Sequence, residues 1–226
     1  MCFSANASFA TAGTLTIVGI LSIRSAAHNK SLIPLAASPF FFAAQQACEG
    51  IVWITLNNGD TVSLLHQFGT YGFLFFASAW WPAWIPFTFF IAETHPHRKK
   101  LLFIKTIIGS ITATLLFISW TFYTTGAVII DHHISYPAPH YPFGITNAHI
   151  AQAVAWPIAL FYCISTITPF FVSSIPYVWI LGIIVGIGLI SSYIFYMIAF
   201  PSIWCFFAAI SSVLLYFVVR NTTKNN

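Results

Sequence analysis

The sequence predicts an all-α membrane protein of seven transmembrane helices, with its N-terminus outside and its C-terminus cytoplasmic. Composition is the first reason. Charged residues make up 5% of the 226 positions and hydrophobic residues 58%, against about 25% charged residues in an ordinary soluble domain. So few charges cannot cover a soluble fold of this size. The same composition excludes a disordered chain, a nucleic-acid binder and a disulfide-dense secreted module. Hydropathy is the second reason: seven stretches approach the roughly 20 apolar residues that cross a hydrocarbon layer about 30 Å thick. The third is charge placement, because seven spans put all eight Lys and Arg on one side.

The first span, Asn6–Ile23, has no Lys or Arg before it and Arg24 after it, the pattern of a retained helix rather than a cleaved leader. The second, Leu32–Leu56, carries Gln45, Gln46 and Glu49. The third, Ser63–Ala92, contains Trp80-Trp81-Pro82 and Pro86, so a kink is expected where proline removes a hydrogen bond and crowds the preceding turn. The fourth, Leu101–Tyr123, follows the basic run Arg98-Lys99-Lys100. A connection over about 124–148 then carries Asp131-His132-His133 and the segment Tyr136-Pro137-Ala138-Pro139-His140-Tyr141-Pro142; its length and prolines suggest a lid. His149–Thr168, Tyr177–Ala199 and Ser202–Val219 complete the set, the last two joined by a turn at Phe200-Pro201. The runs are continuously apolar and do not alternate, which argues against a β-barrel. With no repeat, linker or low-complexity tract, residues 1–226 read as one domain.

Arg24 and Lys30 lie in the first loop, Arg98, Lys99 and Lys100 in the third with Lys105 just beyond, and Arg220 and Lys224 in the tail. The positive-inside rule then sets the orientation. The net charge of +4 follows from that topology signal and from attraction to anionic lipid, so the expected partners are membrane lipids and no nucleic acid is required.

Polar residues gather in the outer half. Gln45, Glu49 and Trp53 are spaced by four and share a helical face, with Gln46 able to join it. A buried carboxylate must be paired, hydrogen-bonded or protonated, and no Lys or Arg lies on the outer side. His66 and Thr70 open the third span, His149, Gln152 and Trp156 the fifth, and Trp204 and Cys205 the seventh; Tyr193 and Tyr196 end the sixth. The inner halves are plainer, which favours a pocket open to the outside over a path across the membrane.

Glu49, His66 and His133 are candidate ligands for a divalent metal such as zinc, which takes imidazole and carboxylate ligands and activates a bound water. Glu49 and His133 are the candidate catalytic groups, and Gln45, Gln46, Trp53, His66, Tyr136, His149 and Trp204 the candidate pocket wall. No His-Glu-x-x-His and no histidine pair at i, i+4 is present, so solvated loop histidines are the competing reading. Cys2 and Cys205 leave three readings open: a disulfide, a thiolate metal pair, or two packed thiols. Cys48 and Cys163 read as core. A serine nucleophile lacks its Gly-x-Ser-x-Gly setting, and a retinal receptor lacks its bundle lysine. Gly182-x-x-x-Gly186 reads as helix packing.

The opening Met1-Cys2-Phe3-Ser4-Ala5-Asn6-Ala7-Ser8-Phe9 resembles that of a family of bacterial multi-pass membrane proteins carrying only a domain-of-unknown-function label. Gln45-Gln46-Ala47-Cys48-Glu49-Gly50-Ile51-Val52-Trp53, Trp81-Pro82, His133 with Tyr136, and Trp204-Cys205-Phe206-Phe207-Ala208-Ala209 are similar to its segments. The resemblance covers the whole chain and implies seven spans in a bacterial inner membrane, with no assigned reaction. Three functions fit: a metal-dependent hydrolase or transferase acting on a lipid or small amphiphile, a receptor or sensor for a small ligand or proton, and a transporter.

Overall fold

The computed structural model describes residues 4–122, 126–130, 132–136, 143, 145–195 and 200–224. Cys2, Tyr123, Asp131, His140, Tyr196 and Pro137, Pro139 and Pro142 lie outside them. The protein is mostly helical.

Helix α1 (Ala5–Ala26) starts at Ser4, whose hydroxyl accepts the Ala7 N–H at 3.3 Å and caps the first turn. A short 3₁₀ turn (Lys30–Leu32) and α2 (Ile33–Ala36) lead into α3 (Ser38–Asn57). The expected second span therefore breaks at Ala37. Pro39 sits in the first turn of α3, where a missing N–H is harmless, and it disfavours continuation from α2. Helix α4 (Leu64–Leu74), capped by the Ser63 hydroxyl, runs through a π-helical stretch (Phe75–Trp80) into α5 (Trp81–Ala92). The break expected near Trp80-Trp81-Pro82 is this widened turn. Helix α6 (Pro96–Phe122) starts earlier than expected, because the basic run Arg98-Lys99-Lys100 is itself helical.

The connection after α6 holds an antiparallel hairpin, β1 (Val128–Ile130) and β2 (His133–Ser135), with Ile129 opposite Ile134 and His132 turning at φ 63°. Sequence reading missed these short strands. Helices α7 (Ala148–Ile167), α8 (Pro169–Val172), α9 (Val178–Phe195) and α10 (Phe200–Lys224) follow. Asn147 caps α7 by accepting the N–H groups of His149 and Ile150.

Among the described residues six helices are long and apolar enough to cross a membrane: Ala5–Ala26, Leu64–Ala92, Pro96–Ser119, Ala148–Val172, Val178–Phe195 and Ile203–Thr223. Their outward sides carry exposed Ile17, Ile190, Ile194 and Phe195, as lipid-facing surfaces do. Helix α3 has 20 residues but is less apolar, because Gln45, Gln46 and Glu49 interrupt it.

Helix α1 packs between α3 and α10, α3 on α4, α5 on α6, α6 on α7, and α9 on α10, while α7 meets α9 sparsely. Helices α5 and α6 approach closely at Gly109. Pro86 has no N–H for the Pro82 carbonyl four residues back, and the backbone at Gly109 occupies that side: a Cβ on Gly109 would lie 1.7 Å from the Pro82 oxygen. At the end bearing the basic residues, Glu93 ties two turns together. It is 1% exposed and accepts hydrogen bonds from the Ser174 N–H (2.7 Å), the Ser174 hydroxyl (2.6 Å), and the N–H groups of Thr94 and His95. Burial opposes ionisation of Glu93, but the Ser174 hydroxyl and these N–H donors outweigh it and hold the carboxyl below its ordinary value.

Candidate functional site

Helix α3 carries a polar stripe along its inner face. Gln45 and Glu49 are fully buried, Gln46 is 1% exposed and Trp53 4%. An outward-open pocket at these residues was expected; instead they are sealed inside. The hairpin forms the roof. Ile134 is fully buried against the group containing Val52, Trp53 and Phe73, and Tyr136 stacks on Phe73 at 4.9 Å with rings 7° apart. The described part of this connection thus packs on the end of α3 that carries Val52 and Trp53.

Within the stripe the side chains divide. Gln45 is held on both sides: its carbonyl accepts the Trp81 indole N–H at 2.8 Å and its amide donates to Cys205 Sγ at 2.9 Å. It bridges α3, α5 and α10, and Trp81 in turn stacks on Phe42 at 3.7 Å. Gln46 donates to Glu49 Oε2 at 3.2 Å. Two polar atoms beside this pair have no hydrogen-bond partner among the described residues: Gln46 Oε1, an acceptor, and Trp53 Nε1, a donor. Each such buried group costs about 1–3 kcal/mol relative to being bonded.

The expected metal set is not assembled. Among the described residues no three of His, Cys, Asp and Glu come together to hold an ion. His66 uses both ring nitrogens elsewhere, Nδ1 with Thr55 Oγ1 at 2.8 Å and Nε2 with Thr70 Oγ1 at 3.4 Å. The Thr55 hydroxyl also lies 3.1 and 3.0 Å from the Ile51 and Val52 carbonyls. With its proton directed there, Thr55 accepts from His66 Nδ1–H, and Nε2 accepts from Thr70. His66 pins α3 to α4. His133 is half-buried on β2, paired with Ile130 across the hairpin. His149 is exposed at the start of α7, apart from the stripe. Cys2, the candidate partner of Cys205, lies outside the described residues. Cys48 is buried as expected, whereas the half-buried Cys163 faces a cavity.

Tyr162 and Trp81 belong to the site and were not foreseen. In a π turn a carbonyl takes the N–H five residues on. For Ala77 that residue is Pro82, which has none, and the Tyr162 hydroxyl of α7 donates to the Ala77 oxygen instead. The sequence held one sign of this, a proline within an apolar helix that leaves a carbonyl to be satisfied. Trp204 donates its indole N–H to the Val185 carbonyl at 3.1 Å and packs on Tyr162 with ring centres 5.4 Å apart.

The arrangement is a buried polar cluster of a carboxylate, an amide oxygen beside it, and an indole N–H one helical turn on. No curated protein and no solved structure matches the chain. A family model matches residues 1–226, and the chain accordingly belongs to the family described as Family of unknown function (DUF6629).

Proposed function

We propose that this is a seven-span protein of a bacterial inner membrane, N-terminus outside, which binds a small ligand through Gln46, Glu49 and Trp53 and acts as a receptor. Helix α3 supports the seventh span: its 20 residues measure about 30 Å, the thickness of the hydrocarbon layer, and its polar side chains face the protein interior and not lipid. The orientation rests on the basic residues, all of which fall away from the hairpin.

One observation carries the receptor reading. A fully buried carboxylate sits beside a buried amide oxygen that has no donor among the described residues. Intramembrane carboxylates are expensive and usually functional. Two acceptors side by side favour an ammonium or hydroxyl group over an anion. The metal-dependent hydrolase reading draws less support, since His66 is committed to Thr55 and Thr70.

The test compares hexylamine, hexanol and hexanoate as additives in thermal unfolding of the purified protein. Ligand near a hundredfold excess over its Kd stabilises by about 2.7 kcal/mol, a rise of about 5–10 °C for a chain of this size. Hexylamine is expected to reach that range, hexanol less and hexanoate none. Glu49→Gln is expected to abolish the preference for the amine. Equal responses to hexylamine and hexanoate in the wild type would end this reading.

A further inference from the structure

An apolar cleft lies inside the protein beside α7, walled also by the π-helical stretch, α6, α9 and α10. Its upper part, towards the hairpin, is a cavity of about 250 Å³ that runs along one face of α7 from Ala155 and is lined also by Leu189 of α9. Its narrower lower part, about 60 Å³, continues to Thr166 of α7 and Leu181 of α9. Three residues line both parts and form the neck between them: Tyr162, Trp204 and Cys205.

The length of the cleft points to its ligand. Ala155 to Thr166 is three turns of helix, about 16 Å, or about half the hydrocarbon thickness of a bilayer. That is the reach of a chain in one membrane leaflet. The polar groups of the neck are already used within the protein: Tyr162 donates to Ala77, Trp204 to Val185, and Cys205 accepts from Gln45. What they present to the cleft is ring face, methylene and sulfur, surfaces suited to a hydrocarbon and offering little to a sugar or an anion. Cys205 is also where the cleft meets the polar stripe, through its hydrogen bond with Gln45.

We propose that this cleft binds a single apolar chain, acyl or isoprenoid, of an amphiphile. The identity of the head group, an amine or hydroxyl, rests on the reading of Glu49 above; the chain site stands on the cleft alone. This makes the ligand a membrane-borne molecule, reached from the lipid phase and not from water.

The experiment uses the full-length protein in phosphatidylcholine vesicles with two photoreactive probes, hexadecylamine and hexadecanoic acid, each carrying a diazirine near the end of the chain. Adducts are mapped by peptide mass spectrometry. Adducts are expected on α7, α9 and α10 at cleft positions such as Ile158, Leu189 and Trp204. Ala159→Trp, which fills the upper cavity, should cut cleft labelling about tenfold, the contact of roughly two methylenes. Ala159→Leu should give a smaller cut should the tryptophan variant fold poorly, and Ile190→Trp on the outer surface should give none. Cleft labelling by both probes alike would uphold the chain site and remove the donor-head reading. Cleft labelling by the amine alone, with the preference lost in Glu49→Gln, would uphold both. Adducts confined to outward-facing residues such as Phe161, Ile190 and Ile194 would overturn the proposal.

Discussion

Replacing Gln45 by leucine tests whether this residue holds the bundle together or serves a ligand. Its amide satisfies the Trp81 indole N–H at 2.8 Å and donates to Cys205 Sγ at 2.9 Å, all three residues being nearly or fully buried. Leucine keeps most of the volume, so the packing change is small. The Trp81 N–H, however, is left without an acceptor, at a cost of about 1–3 kcal/mol. A thiol is a weak acceptor and loses little. The expected destabilisation is about 2 kcal/mol. Trp81→Phe removes the donor instead, at the expense of part of its stack on Phe42. When both are changed no group is orphaned, so the double variant should be more stable than the summed singles predict by about 1–2 kcal/mol. Reversible unfolding in mixed micelles, titrated with sodium dodecyl sulfate and followed by helical circular dichroism, measures all four corners of the cycle. Additivity within about 0.5 kcal/mol would refute the bridge. Loss of the hexylamine response in Gln45→Leu without loss of stability would assign Gln45 to the ligand.

Two further perturbations probe the frame around the site. The lowered Glu93 carboxyl contributes stability that is present above the ordinary value of 4.5 and lost as pH falls through its lower folded value. Glu93→Gln should therefore cost about 2 kcal/mol at neutral pH and flatten the acid limb of the stability profile; an unchanged acid limb would sink that account. Gly109→Ala places a methyl 1.7 Å from the Pro82 oxygen, a distance that only separation of α5 and α6 can relieve. A loss of about 3 kcal/mol or failure to accumulate is expected, and wild-type stability would contradict the packing.

Much of the site was legible in the residues of α3. The spacing Gln45, Glu49, Trp53 puts polar groups on one face of a helix otherwise apolar, and that face is the buried one. The hairpin was less legible: its strands are three residues each, too short for an alternating pattern to emerge from the surrounding hydrophobicity. His66 was misread because a histidine at a polar rim looks like a ligand until its neighbours are known. Thr55 and Thr70 occupy both of its nitrogens, and Thr55 lies on another helix. Glu93 was passed over because it falls between spans, and only Ser174, distant in sequence, explains its burial.

Composition and the lengths of the apolar runs determine by themselves that this chain is built of helices long and apolar enough to cross a membrane, because a bilayer imposes length and hydrophobicity on each segment separately. Which polar groups are bonded inside the protein, and where the helices around Tyr162 leave a cavity, depend on pairings between helices far apart in sequence. Those pairings are matters of a few ångströms, set by the packing of Gly109 on Pro82, of Tyr162 on Ala77 and of Gln45 between Trp81 and Cys205, and no single segment encodes them.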